Sequence, residues 1–345
     1  MLTQGETMEP KSPATRPTFN TVPSQDISGW AELSAILHGD QFKRFITLVV
    51  GAGIHQVPKW ICPHKYSSAQ ALSSWDRLLD TVLPNTAHSE CPSLRWELGI
   101  LDSDADDAAQ KKENRHFTKL CATVTTAEAA VLALPDSYEP VQRVLSSPLA
   151  EHVISLNFDL VAERLLCPDF DPTQNSHAGQ PANGLLTHHY GVHWKQFWHP
   201  HGDRNTKDAG CLGIRQYAIT QAKLEDARNN FKSREPKCNN EVSKPLDYKS
   251  MTTETWIDLM MASHLIFLGT SLSFNEWDIW FALVNRWRNY AKPENKNYEP
   301  KTFVLTTGKH HKHLPSQFLR LDAPRYEDGW KWLGDMLHKS TDERR

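Results

Sequence analysis

Phe45-Ile46-Thr47-Leu48-Val49-Val50 runs into Gly51-Ala52-Gly53-Ile54, and His264-Leu265-Ile266-Phe267-Leu268 runs into Gly269-Thr270-Ser271-Leu272. The two stretches share one pattern, an unbroken apolar run ending in a glycine turn. A run without polar alternation reads as a parallel strand covered on both faces. Glycine at its end lets the chain turn and lets another group approach the backbone without a Cβ in the way. In an open α/β sheet, ligands sit beyond the carboxyl ends of the strands, where helix N-termini favour phosphate. Two such ends point to one dinucleotide held between them.

Working outward, further strands are read at 152–156 and 302–306, with an irregular β-like region over 185–202. Helical periodicity marks 30–37, 75–82, 94–101, 128–134, 160–166, 223–234, 252–263, 277–288 and 330–337. Strands alternating with helices predict an α/β fold, a Rossmann-like parallel sheet with helices on both faces. Residues 58–145 carry no strand and read as a helical insertion, a lid over the first turn. Residues 1–27, rich in Pro, Thr, Ser and Gln, read as a flexible tail. The dinucleotide-binding unit is then 28–57 together with 146–345. The acidic stretch 102–107 and the segment 236–249 read as solvated loops.

Composition narrows the class. A net charge of −3 over 345 residues, with no basic tract, predicts no nucleic-acid or membrane-surface partner. There is no bilayer-spanning run and no hydrophobic signal core, so a cytoplasmic location is expected. The six cysteines contain no C-x-x-C pair, which fits a reduced protein without a zinc ribbon.

Between the turns lie Ser155-Leu156-Asn157-Phe158-Asp159 and His199-Pro200-His201-Gly202-Asp203. Each has an ordinary reading. Asn157 is a good helix N-cap, Asp159 caps the helix that follows, and His201 fits a surface turn. Gly-Ala-Gly without a third glycine is a weak fingerprint. A hydride-transferring enzyme wants a ribose-binding acid at a strand end about twenty residues on. The first carboxylate after Gly53 is Asp76, inside a predicted helix, so a dehydrogenase is disfavoured.

Taken in order, Gly51-Ala52-Gly53-Ile54, Asn157-x-Asp159, His201-Gly202 and Gly269-Thr270-Ser271-Leu272 resemble the successive motifs of the sirtuin superfamily, over roughly 40–310. The resemblance implies that Gly51, Ala52, Gly53, Ile54, Gly269, Thr270 and Ser271 bind NAD, joined by Asp159 and Ser273. It implies that Asn157 orders the nicotinamide ribose and a water, and that His201 is the base acting on the ribose hydroxyls. Protein-deacylating members continue with Ser and a Pro-Asp-Phe-Arg loop and carry zinc-holding cysteine pairs. Here the continuation is His55-Gln56-Val57-Pro58-Lys59-Trp60 and the pairs are absent. The pattern is more similar to bacterial sirtuin-like domains that hydrolyse NAD in antiviral defence, where a helical insertion replaces the zinc module.

That resemblance implies an NAD+ glycohydrolase releasing nicotinamide and ADP-ribose, or cyclic ADP-ribose, with NAD+ as substrate and no metal. It implies an effector of anti-phage defence, repressed at rest and released through homo-oligomerisation or a partner such as an ATPase or helicase. The leaving group already carries positive charge, so the chemistry needs a stabilised ribosyl cation and a placed water. His201, with an ordinary pKa near ~6.5, would serve as a neutral base.

Two other readings use the same residues. A module that senses NAD or ADP-ribose without chemistry needs the glycine turns but neither Asn157 nor His201. A metallo-hydrolase would use His199-x-His201-x-Asp203, because residues two apart on an extended strand face the same way. His188, His189 and His193 lie nearby, and His310, His311 and His313 could add ligands. The metallo-β-lactamase pattern wants histidine after the aspartate, where Arg204 stands.

Overall fold

The computed structural model describes residues 28–342, except 40–43, 64–65, 84–90, 102–108, 178–183, 207–211, 236–250, 274, 294, 297–298 and 308–313. The expected tail 1–27, the acidic stretch 102–107, the loop 236–249 and His310, His311 and His313 lie outside these residues.

Eight strands form one sheet: β1 Ile46–Val50, β2 His152–Ser155, β3 Ser176–His177, β4 His189–Val192, β5 Lys195–Trp198, β6 His264–Leu268, β7 Thr302–Thr306 and β8 Phe318–Asp322. Their order is β3-β4-β5-β2-β1-β6-β7-β8. From β5 through β8 all neighbours are parallel, and β3 and β4 run antiparallel at one edge. The chain lays β2 and then β5 on one side of β1, and returns to lay β6, β7 and β8 on the other. The order therefore reverses at the β1–β6 pair. That point is where an open α/β sheet leaves a crevice beyond its strand ends.

Every residue of β1, β2, β6 and β7 is buried, as unbroken apolar runs require. Alternate side chains enter opposite layers. Leu48, Val50, Ile266, Leu268 and Phe303 join one apolar cluster, and Val49, Ile154, Leu265, Phe267 and Val304 the other. Helices Ser28–His38, Trp75–Val82, Pro92–Leu101, Ala109–Leu132, Glu139–Leu145, Val161–Leu166 and Tyr326–Asp342 pack on the first face. Helices Ile214–Arg234, Trp256–Ala262 and Trp277–Tyr290 pack on the second. The α/β architecture with helices on both faces is as expected. Between β1 and β2 the described chain contains no strand, and its Leu79, Trp96, Leu120 and Val124 belong to the same cluster as Leu48.

Several elements were not anticipated, among them β8 and most of the long helix Ala109–Leu132. β8 buries only Phe318 and Leu321, and it carries Arg320 and Asp322, so it lacks the apolar run that marks a central strand. Ala109–Leu132 extends far beyond the predicted 128–134. Its Thr118, Thr123, Thr125 and Thr126 hydroxyls donate to carbonyls four residues back, which accommodates a poor helix former inside a helix. On the second face the buried Arg286 clamps the chain. It donates to the carbonyls of Met260, Ser263, Pro300 and Lys301 at 2.7–3.0 Å. Among the described residues no single helix is long and apolar enough to cross a membrane.

Candidate active site at the switch point

The two glycine turns meet backbone to backbone. Gly51 N–H donates to Leu268 O at 3.0 Å, Gly53 N–H to Gly269 O at 2.7 Å, and Ile54 N–H back to Gly51 O at 3.1 Å. A Cβ on Gly53 would lie 2.7 Å from both Cα and O of Gly269, and one on Gly51 2.8 Å from that oxygen. Gly269 itself has φ 66°, a conformation that glycine adopts without strain. The contact between turns thus explains the glycines, and it commits the amides of Gly51, Gly53 and Ile54. The joined turns form the floor of the site. Leu272, fully buried in the second cluster, is held at φ 48°, which is uncommon for a side chain of its size.

Above this floor opens a cavity of about 780 Å³, within the range of cofactor-sized sites. Every strand from β5 to β8 delivers residues to it from its carboxyl end. They are His201 after β5, Asn157 after β2, Gly51, Ala52 and Gly53 after β1, Gly269, Thr270, Ser271, Ser273 and Glu276 after β6, Thr307 after β7, and Arg325 and Glu327 after β8. Trp60, Trp75 and Trp96 line it from the helices between β1 and β2, and Tyr217 from Ile214–Arg234. The fold therefore brings the expected residues together, with two exceptions. Ile54 is fully buried in the first cluster and lines no cavity wall. Asp159 lies behind Asn157, on a separate void of about 20 Å³ that also touches Ala52 and Phe158.

Several polar atoms on the cavity wall are buried with no hydrogen-bond partner among the described residues. They are Asn157 Nδ2, Thr270 Oγ1, Trp96 Nε1, Glu276 Oε2, Glu327 Oε2 and the Tyr326 hydroxyl. Leaving a buried polar atom unpaired costs about 1–3 kcal/mol, so these atoms are placed to bond whatever fills the cavity, water included.

His201 is buried, and its Nε2 meets Asp278 Oδ2 at 3.0 Å. Burial pulls its pKa down, but the Asp278 charge and hydrogen bond outweigh this, helped by Glu276, and the net shift is upward. The His201 imidazole is thus not an unperturbed one: its proton affinity is raised by its carboxylate partner. Asp278 is itself fixed, since its Oδ1 accepts the N–H of Ile279. Asp278 and Glu276 were missed because acidic residues at a helix start read as ordinary partners of the helix dipole. Asp159 is not the N-cap of the helix that follows, a position held by Leu160; its Oδ1 accepts Val161 N–H at 3.1 Å in a local turn, and its second oxygen holds His55 Nε2 at 3.0 Å. His55 Nδ1 in turn meets the Tyr138 hydroxyl at 2.9 Å, so a buried Tyr138–His55–Asp159 chain backs the Asn157 loop.

The histidine cluster does not converge. β5 ends at Trp198, so strand alternation does not extend to His199, His201 and Asp203. His199 Nε2 faces Glu163 at 2.7 Å, His201 faces Asp278, and Asp203 takes His188 at 2.6 Å and the Tyr190 hydroxyl at 2.7 Å. His189 stacks on Trp198, and His193 meets the Leu166 carbonyl. Among the described residues no group of three His, Cys, Asp or Glu side chains is arranged to hold a metal ion. Compared with protein-family models and with curated proteins, the chain matches none, so its function has to be read from the site itself.

Proposed function

We propose that the chain is a sirtuin-like NAD+ glycohydrolase that breaks the nicotinamide–ribose bond. The observation that carries this reading is the unpartnered Asn157 amide, beside the His201–Asp278 pair, in a dinucleotide-sized cavity at the sheet's switch point. The helices between β1 and β2 act as the lid, presenting Trp60, Trp75 and Trp96 to the substrate. The acidic side chains on the wall suit a cationic substrate ring and a developing ribosyl cation.

Asn157 holds a ribose hydroxyl and the attacking water through its amide. His201, oriented by Asp278, bonds the other ribose hydroxyl. Thr270, Ser271 and Ser273 reach the adenosine side. Twisting the nicotinamide out of conjugation with water excluded is the lid's contribution.

Incubating the purified protein with NAD+ and following nicotinamide by chromatography tests the reading. Asn157→Ala and His201→Gln are each expected to slow release by about 10²-fold or more, with thermal stabilisation by ADP-ribose showing that each variant is folded. Unchanged rates would reject the assignment. A melting temperature raised by NAD+ with no nicotinamide released would identify the site as a sensor instead.

A further inference from the structure

We propose that Glu276 is a catalytic residue of this site, its carboxylate accepting the proton of the water that attacks the ribose carbon. The inference rests on the glycohydrolase reading above. Glu276 occupies the position immediately before helix Trp277–Tyr290, where a polar side chain normally turns back to cap the first amides. It makes no such bond. Asp278 supplies a carboxylate to the first turn instead, one oxygen on Ile279 N–H and the other on His201. Released from that duty, Glu276 lines the cavity with Oε2 buried and unpartnered among the described residues. Nothing in the packing accounts for an orphaned carboxylate oxygen at that place.

The electrostatics agree with the geometry. Burial pushes Glu276 up to about 7, with His201 opposing and Asp278 adding to the rise. A group whose proton affinity lies near the working pH is the most effective general base. His201 Nε2 is already engaged by Asp278, which leaves the unpartnered Glu276 oxygen as the open proton acceptor on this wall.

In the step assigned here, the ribose C1′–N bond breaks and its electron pair goes to nicotinamide, which leaves neutral. The water oxygen bonds to C1′ and its proton passes to Glu276, then to solvent. NAD+ and water thus give ADP-ribose, nicotinamide and one proton.

The test compares wild type, Glu276→Gln and Glu276→Ala for nicotinamide release at saturating NAD+ on both sides of pH 7. Glu276→Gln is expected to lower kcat by about 10²-fold or more with KM little changed, and to abolish the rise of activity as pH increases through about 7. Azide, an anionic nucleophile that needs no base, is expected to restore release by Glu276→Ala and yield ADP-ribosyl azide. Equal thermal stabilisation of all three proteins by ADP-ribose establishes that they are folded and bind. Active wild type with an equally fast Glu276→Gln, a loss confined to KM, or failure of azide rescue in folded Glu276→Ala overturns the role of Glu276 alone. Wild type that binds NAD+ and releases no nicotinamide overturns the glycohydrolase reading, and this inference with it.

Discussion

Replacing Gly53 by alanine tests the claim that the site is built on the contact between two turns. The new methyl carbon would stand 2.7 Å from Gly269 Cα, whereas carbon atoms pack at about 3.5–4.0 Å. One turn must therefore move by roughly 1 Å, against backbone rather than against a flexible side chain. Overpacking of this kind costs about 1–3 kcal/mol. Loss of the Gly53 N–H to Gly269 O bond, 2.7 Å long, adds about 1 kcal/mol. The sum is about 2–4 kcal/mol. With an unfolding entropy of about 2.1 cal/mol/K per residue, a chain of this length has a total of about 0.7 kcal/mol/K. The melting temperature should then fall by about 3–6 °C in calorimetry at fixed pH and concentration. Catalysis should suffer more, because a shift of about 1 Å in a reacting geometry costs about 10²-fold. Gly184→Ala is the control: a Cβ there meets nothing within 4 Å, and neither quantity should change appreciably. A Gly53→Ala protein with wild-type melting temperature and wild-type turnover would refute the reasoning.

Asp278→Asn keeps an acceptor for Ile279 but removes the charge that raises His201, so the imidazole titration followed by NMR should move to lower pH. An unmoved titration would show that Asp278 does not set the protonation of His201. His152 is buried and held neutral, its pKa brought down from 6.5 to about 4 chiefly by burial. The unfolded chain takes this proton below pH 6.5 and the folded chain refuses it until about pH 4, so stability is lost as pH falls through that window. This share amounts to about 3 kcal/mol. Urea midpoints at the two ends of the window should therefore differ less in His152→Gln than in wild type, and an equal difference would exclude His152 as the cause. Arg286→Met removes the donor of the Met260, Ser263 and Pro300 carbonyls, Lys301 O keeping Leu265 N–H, and should cost at least about 3 kcal/mol. A denaturation midpoint equal to that of wild type would mean that water replaces the clamp without loss.

Much of the sheet was legible because burial writes itself into composition. β1, β6 and β7 are unbroken apolar runs and stand where the runs do. β8, half-buried and carrying Arg320, gives no such signal, and its place becomes evident only from pairing with β7. At the site, Asn157 and His201 could be found because each follows a strand. What could not be read was pairing at a distance. His188, His199 and His201 look like a ligand cluster when their neighbours in sequence are counted. In space each has its own carboxylate, Asp203, Glu163 or Asp278, and the last two lie far along the chain. His55 looked like a departure from the sirtuin pattern. It proved to be the middle of a chain between Tyr138 and Asp159, 83 and 104 residues away.

The floor formed by Gly51, Gly53 and Gly269 also fixes when the cavity can come into being. Translation at about 10 residues per second places roughly 20 seconds between the emergence of the first turn and of the second. In that interval β1 can pair with β2, but its other edge lies open until β6 arrives, and an open central edge invites pairing with foreign strands. The nascent chain is thus both inert and vulnerable until Gly269 docks. A ligand gripping both turns would hold the early and late parts of the polypeptide together, guarding the mature molecule against opening along that same seam.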